Sequence, residues 1–217
     1  MVEFHQIYYK EEQKQKLYPF AKPYFNEDLT IYFENVPIVK LVTESKADKI
    51  GVFSWKLSEK IGNRVGLRGP VTLEALDFDY EVLSLTKNSS RHTMLAMGNQ
   101  WHPSFSKTIT LLWEKLGYKI PNEAKNPIYQ NSFCAKREVY LDYVTNFLIP
   151  AMDLTERDEE MKSLMIQPSG YARLNRHADI KRVKAKLGMD DYPLSPFILE
   201  RSPCLFFQMK GYKISYL

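Results

Sequence analysis

The chain has 217 residues, of which 44% are hydrophobic and 13% aromatic, and its formal net charge is +4. This length and apolar content suit one domain with a substantial core, and no linker-like segment divides residues 1–217. No run approaches the roughly 20 apolar residues of a membrane-spanning helix. The mild basic excess does not by itself indicate a nucleic-acid-binding protein.

The first residues and the two cysteines indicate a cytoplasmic protein. Residues 1–5 lack the basic flank and apolar block of a secretory signal. Cys134 and Cys204 lie far apart, each in apolar sequence, which predicts buried thiols in a reducing compartment and no disulfide or metal site.

The first part of the chain predicts two strands with a helix between them. Residues 4–9 are rich in β-forming residues and predict the first strand. After a polar, turn-rich stretch, a helix is expected to start near Asn35, with Pro37 in its first turn. Residues 48–56, DKIGVFSWK, then predict a buried strand, and a glycine-rich loop covers residues 62–70.

The remaining elements follow from similar patterns. We expect a strand over residues 77–86, a helix over about 104–116, and a short strand over 132–135. That strand leads into an amphipathic helix that Pro150 is predicted to end. A later helix starts at Ser195 and Pro196, with Pro203 expected to break or kink it, and the final residues suit an edge strand. Alternating strands and helices predict an α/β fold, a three-layer, mainly parallel sheet flanked by helices.

Asn131 stands at the start of the short strand predicted over residues 132–135. This is the kind of sheet edge where ligands usually bind. Its side chain can donate and accept hydrogen bonds, which suits recognition of a polar substrate. The alternative is that Asn131 only satisfies backbone groups in the turn.

Two carboxylates, Asp77 and Asp79, are separated by one residue on an extended segment and so point to the same side. Such a pair suits a hard divalent cation, Mg²⁺ or Mn²⁺. In enzymes that use nucleotide sugars, a cation of this kind neutralises the diphosphate that departs from the sugar. Aspartates that precede a strand for turn formation alone are the competing explanation.

Several aromatic side chains and one histidine suit a sugar-binding site. Trp55, Trp101 and Tyr129 offer flat apolar faces for sugar rings, with core packing as the alternative for each. His102, between Trp101 and Pro103, suits a metal ligand, a base or a stacking partner, and equally a structural role at a helix start.

A basic segment runs from Arg173 to Lys186, with an apolar seam at Ile180, Val183 and Leu187. A solvated helix face is the default explanation. The alternative is contact with phosphates, with an anionic glycan or, peripherally, with the headgroups of an anionic membrane. Aromatic residues are not interleaved with this segment, so nucleic acid is an unlikely partner.

In chain order, four short passages resemble the small glycosyltransferase-like proteins encoded in bacterial capsular and other polysaccharide gene clusters. The passages are QIYYKEEQ at 6–13, IGVFSWK at 50–56, YQNSF at 129–133 and PFILER at 196–201. The resemblance implies a GT-A-like, nucleotide-diphospho-sugar transferase fold. It also implies transfer of a sugar from a nucleotide-sugar donor to a glycan or lipid-linked acceptor in surface polysaccharide synthesis.

The resemblance also assigns roles to residues. Ser54, Trp55 and Lys56 would edge the active cleft, Asn131 would face donor or acceptor, and Glu200 with Arg201 would support the far side. A non-catalytic carbohydrate- or partner-binding protein with the same fold is the alternative.

The chemistry of such a transfer suggests further roles. Negative charge grows on the leaving phosphate, and the cations that suit this charge are Lys56, Lys60, Arg64 and Arg68. An inverting reaction needs a carboxylate base, for which Asp79 is the first choice and Glu200 the second.

Overall fold

A computed structural model of the chain describes residues 1–62, 78–85, 93–121, 128, 131–174 and 179–216. The strands are β1 (Val2–Tyr8), β2 (Lys22–Phe25), β3 (Lys49–Ser54), β4 (Val82–Ser84), β5 (Phe133–Lys136) and β6 (Ile214–Tyr216). Within this part of the chain they form one six-stranded sheet in the order β2-β1-β3-β5-β4-β6.

The sheet is mixed, because β5 runs antiparallel to both of its neighbours. Gly51 of β3 and Leu83 of β4 each pair with Cys134 in antiparallel register, while β1 pairs with β2 and β3, and β4 with β6, in parallel. The predicted α/β class is confirmed, but the prediction of a mainly parallel sheet needs correction at its centre. The chain enters β5 from the edge where β3 ends, so this strand needs no crossover connection.

Helices are present on both sides of the sheet. Those of the first half are α1 (Glu11–Lys14), α2 (Asn35–Glu44), α3 (Leu57–Gly62), α4 (Met94–Trp101) and α5 (Phe105–Lys115). Those of the second half are α6 (Arg137–Tyr143), α7 (Ile149–Arg157), α8 (Glu159–Met165), α9 (Tyr171–Leu174), α10 (Ile180–Leu187), α11 (Ser195–Leu199) and α12 (Ser202–Lys210). Among the described residues, no helix is both long and apolar enough to cross a bilayer.

Alternate strand residues bury against two different clusters, one on each face of the sheet. The larger cluster contains Ile50 and Val52 of β3 and receives most of the helices. The smaller cluster contains Phe53 of the same strand, Cys134 of β5 and Leu57 of α3. The sheet is therefore covered on both faces, with the thicker helical layer on the face of the larger cluster.

The helix that follows β5 continues through Pro150, contrary to the prediction that it ends there. A π-helical turn, Val144–Leu148, joins α6 to α7, and Pro150 stands in the first turn of α7. Proline lacks the N–H that would bond to the carbonyl four residues earlier, that of Asn146. Tyr118 supplies the missing donor, since its hydroxyl lies 2.8 Å from this carbonyl oxygen.

Other boundaries differ from the sequence prediction for local reasons. β4 covers only three residues of the predicted strand 77–86, and Tyr80, within the predicted range, is 53% exposed. β2 was not predicted, because Pro23 disfavours a strand except at a sheet edge, which is where β2 lies. Pro203 stands in the first turn of a new helix, α12, and does not kink α11. The predicted edge strand at the end is confirmed as β6.

Candidate functional site

A cleft with a volume of about 960 Å³ opens at the sheet edge where β1 and β3 end. Ligands of open α/β sheets usually bind at this edge, outside the carboxyl ends of the parallel strands. Ser54, Trp55 and Lys56 line the cleft together with Asn131 and Glu200. Three segments that the sequence analysis connected only through a family resemblance therefore meet in one recess.

Two lysine side chains approach the indole of Trp55 in the cleft. The ammonium nitrogen of Lys16 is 5.0 Å from the ring centroid, and that of Lys56 is 5.1 Å away. Lys16 also forms an ion pair of 2.9 Å with Glu59, another cleft residue. This part of the cleft combines a flat aromatic surface with two positive charges, a combination that suits an anionic ligand carrying a ring.

Asn131 adopts a left-handed backbone conformation, with φ 53°, two residues before the start of β5. It lies in a turn and not in a strand, and only 3% of its surface is exposed. Phe33, also in the cleft lining, has φ 51°, which is unusual for a bulky residue. Strained backbone of this kind concentrates at binding sites, although asparagine tolerates it in ordinary turns as well.

Glu200 reaches the cleft from the end of α11, and Arg201 supports it from the protein interior. Arg201 donates to the Glu200 carboxylate at 2.7 Å and to the Phe197 carbonyl at 2.9 Å. Its guanidinium lies 5.3 Å from the centroid of the Phe105 ring, and the residue is only 5% exposed. Arg201 is absent from the described cleft lining and contacts Glu200, which lines it, so the substrate contact of Arg201 stays a prediction.

His102 and Trp101 do not line the described cleft, and their role in sugar binding stays a prediction. His102 is buried, stacks on Phe197 with ring centroids 4.0 Å apart, and places Nδ1 3.1 Å from the Ser169 carbonyl oxygen. A carbonyl only accepts, so Nδ1 carries the proton of this hydrogen bond. Burial, with the nearby charge of Arg201, lowers the pKa of His102 to about 4. Trp101 is 46% exposed.

The predicted metal site is not assembled by the described residues. Asp79 is exposed at a bend, and the described cleft lining does not include it. Asp77, Tyr129, Arg64 and Arg68 lie outside the described residues, as does the side chain of Lys60. Across the described ranges, no three His, Cys, Asp or Glu side chains come together in a way that would hold a metal ion.

The sequence analysis missed a group of cleft residues around the end of β1. Tyr9 and Lys10 directly follow this strand, and Arg182 of α10 lies over the Tyr9 ring, with 4.5 Å between its Cζ and the centroid. Burial and the neighbouring carboxylate of Glu34 hold the pKa of Tyr9 well above its usual value. The position of Tyr9 and Lys10 at a strand end was the available signal. Arg182 belongs to the basic segment for which contact with phosphates was an alternative to a solvated face.

The basic segment is only partly described. Val183 is buried, which confirms this part of the predicted seam, and Gly188 ends α10 with φ 69°. Lys181, Lys184 and Lys186 are exposed on the same helix. Contact with an anionic membrane stays a prediction.

Comparison of the chain with protein-family models, with curated proteins and with solved structures found no match.

Proposed function

We propose that the protein is a glycosyltransferase that moves a sugar from a nucleotide-sugar donor to a glycan or lipid-linked acceptor. The observation that carries the proposal is the meeting of Trp55 and Lys56, Asn131 and Glu200 in one cleft at the carboxyl edge of the sheet. The cleft volume, about 960 Å³, falls at the upper end of the range typical of small-molecule sites.

The positively charged end of the cleft suits the diphosphate of such a donor. Lys16 and Lys56 both approach the face of Trp55, where a base or sugar ring would pack. Glycosyl transfer leaves negative charge on the departing phosphate, and nearby ammonium groups stabilise that charge. Lys56 and Lys16 are therefore the residues that we assign to the leaving group.

Asn131 and Glu200 supply the remaining chemistry. The amide of Asn131 offers both a donor and an acceptor for sugar hydroxyl groups. Glu200 would take the proton from the attacking acceptor hydroxyl in an inverting reaction, with Arg201, 2.7 Å away, keeping the carboxylate in place. Asp79, the first choice from the sequence, is less suited to this role because it is not part of the described cleft lining.

Metal dependence stays a prediction. The described residues do not provide a set of metal ligands, and Asp77 lies outside them. No step of the proposed reaction is assigned to Mg²⁺ or Mn²⁺.

A lipid-linked acceptor would bring the protein to a membrane surface. The exposed lysines of α10, Lys181, Lys184 and Lys186, suit peripheral contact with anionic headgroups. The proposal includes bacterial surface polysaccharide synthesis as its setting and the cytoplasmic side of the membrane as its location.

Isothermal titration with a panel of nucleotide diphosphates and nucleotide sugars, with and without Mn²⁺, tests the proposal. We expect at least one member to bind, and to be turned over when a glycan acceptor is present. Absence of binding to every member would contradict the proposal. Binding of glycans alone, without turnover of any donor, would favour the non-catalytic alternative.

A further inference from the structure

An ion pair joins two elements across the described cleft lining. The ammonium of Lys10, at the end of β1, lies 2.9 Å from the carboxylate of Asp179, which precedes α10. Both side chains are partly exposed, 44% and 36% respectively, and both line the cleft. Exposed pairs of this kind contribute little to stability, so a ligand can separate them at small cost.

Arg182 is the second cation beside Asp179. Arg182 lies in α10, stacks on the Tyr9 ring and donates to the Asn26 carbonyl at 3.1 Å. The hydrogen bond from Lys10 lowers the pKa of Asp179, and the nearby charge of Arg182 acts in the same direction. The Asp179 carboxylate is thus paired directly with Lys10, while Arg182 acts on it only as a nearby charge.

The two cations are held in position by other groups. The side-chain oxygen of Gln13 accepts from the backbone N–H groups of Tyr9 and Lys10, at 2.8 and 3.2 Å, which positions the start of the Lys10 side chain. Arg182 is fixed by its contacts with Tyr9 and Asn26. Cations held in this way need little reorganisation to bind a second anion.

We infer that Lys10 and Arg182 form an anion-binding position of the cleft, in which the carboxylate of Asp179 pairs with Lys10 in this structure. The ligand group that fits is a phosphate or diphosphate, which carries more charge than one carboxylate and so competes for both cations. Identification of this group as the diphosphate of a nucleotide sugar rests on the proposed function. Asp179 then acts as an internal competitor that weakens anion binding.

Replacement of Asp179 by asparagine separates this inference from a structural role. Asp179 also caps α10, because its carboxylate accepts from the Arg182 backbone N–H at 3.2 Å. Asparagine caps helices about as well as aspartate does, so Asp179→Asn removes the charge and keeps the cap. Asp190→Asn is the matched control, since Asp190 pairs with Lys184 at 2.7 Å and neither residue lines the described cleft.

The experiment is titration of the full chain with inorganic pyrophosphate at low ionic strength. We expect Asp179→Asn to bind pyrophosphate at least about threefold more tightly than the wild type, given the strength of exposed pairs. Asp190→Asn should bind like the wild type, and Lys10→Met should bind more weakly than either. The gain in Asp179→Asn should shrink as salt is added.

Equal or weaker binding by Asp179→Asn, or no pyrophosphate binding by it and the wild type, would overturn the inference. An equal gain in Asp190→Asn would also overturn it, because it would show a general charge effect. The same samples titrated with nucleotide sugars keep the two proposals apart. Tighter pyrophosphate binding by Asp179→Asn, without nucleotide-sugar binding, would contradict the proposed function alone. Nucleotide-sugar binding that Asp179→Asn does not change would contradict this inference alone.

Discussion

The hydroxyl of Tyr118 donates a hydrogen bond of 2.8 Å to the carbonyl of Asn146, the group that Pro150 leaves without its helical partner. The same tyrosine ring packs against Trp113 and Phe147, with centroids 6.0 and 6.1 Å apart. A residue just beyond α5 therefore completes a helix that would otherwise have a gap in its hydrogen bonding. The continuous helix, in turn, covers the face of the sheet that carries the larger hydrophobic cluster.

Tyr118→Phe should lower the free energy of unfolding by about 1 kcal/mol, since it removes the hydrogen bond and keeps the ring. Urea denaturation followed by circular dichroism measures this loss. Tyr80→Phe is the control, because Tyr80 is 53% exposed and should change little. Equal stability of Tyr118→Phe and the wild type would show that the Asn146 carbonyl does not need this donor.

His102 should make stability depend on pH. Its pKa is lowered to about 4, mainly by burial, with Arg201 adding to the effect and Ser169 and Asp191 opposing it. The unfolded chain, with the ordinary pKa of 6.5, binds this proton more readily. The contribution of neutral His102 to the free energy of unfolding is therefore complete above pH 6.5 and is lost as the pH falls toward 4. Between about pH 7.5 and about pH 5, we expect the free energy of unfolding to fall by about 2 kcal/mol through this group.

Urea unfolding at these two pH values, for the wild type and for His102→Asn, measures the contribution of the histidine. Asparagine keeps a donor for the Ser169 carbonyl and does not titrate. The variant should lose less stability than the wild type over the same range. The same loss in both proteins would assign the pH dependence to other groups, such as the carboxylates.

Trp55→Ala should weaken binding of a nucleotide or nucleotide sugar by about tenfold, because stacking on an aromatic ring is worth about 1–3 kcal/mol per base. Calorimetric titration gives the dissociation constants directly. Trp101→Ala is the matched control, since Trp101 is 46% exposed and is not in the described cleft lining. Similar losses in both variants, or none in Trp55→Ala, would place the ring-binding surface elsewhere.

Glu200→Gln should lower kcat by about 100-fold or more and leave donor affinity nearly unchanged, because general base catalysis typically contributes this much. Glutamine keeps an oxygen for Arg201, so the local structure should persist. Asp79→Asn is the informative comparison, because Asp79 is exposed and is not in the described cleft lining. Loss of turnover in Asp79→Asn, with Glu200→Gln still active, would reverse the two assignments.

Periodicity and capping predicted those elements whose own side chains specify them. β3 was recognisable from Ile50, Val52 and Phe53, and α5 from the helical spacing of its apolar residues. The direction of β5 and the continuation past Pro150 were not, because both depend on residues distant in the sequence. Tyr118, for example, gives no local sign that it will replace a helical hydrogen bond.

The cleft was predictable to a similar extent. Residues at strand ends, such as Ser54 and Lys56, could be expected at one edge, since parallel strands end together. Which helix lies across that edge cannot be derived from the spacing of charges along the chain. Lys10 and Asp179 come together only through tertiary packing, and so their ion pair was missed.

The two cysteines provide reporters of folding that need no engineering. Cys134 lies in the small cluster and Cys204 in the large one, both fully buried, and burial raises the pKa of Cys204 to about 12 and that of Cys134 well above its usual value. A thiol reagent can modify either sulfur only after its layer opens. Mass spectrometry of each labelled peptide over time would thus reveal whether the two faces of the sheet separate together or one before the other.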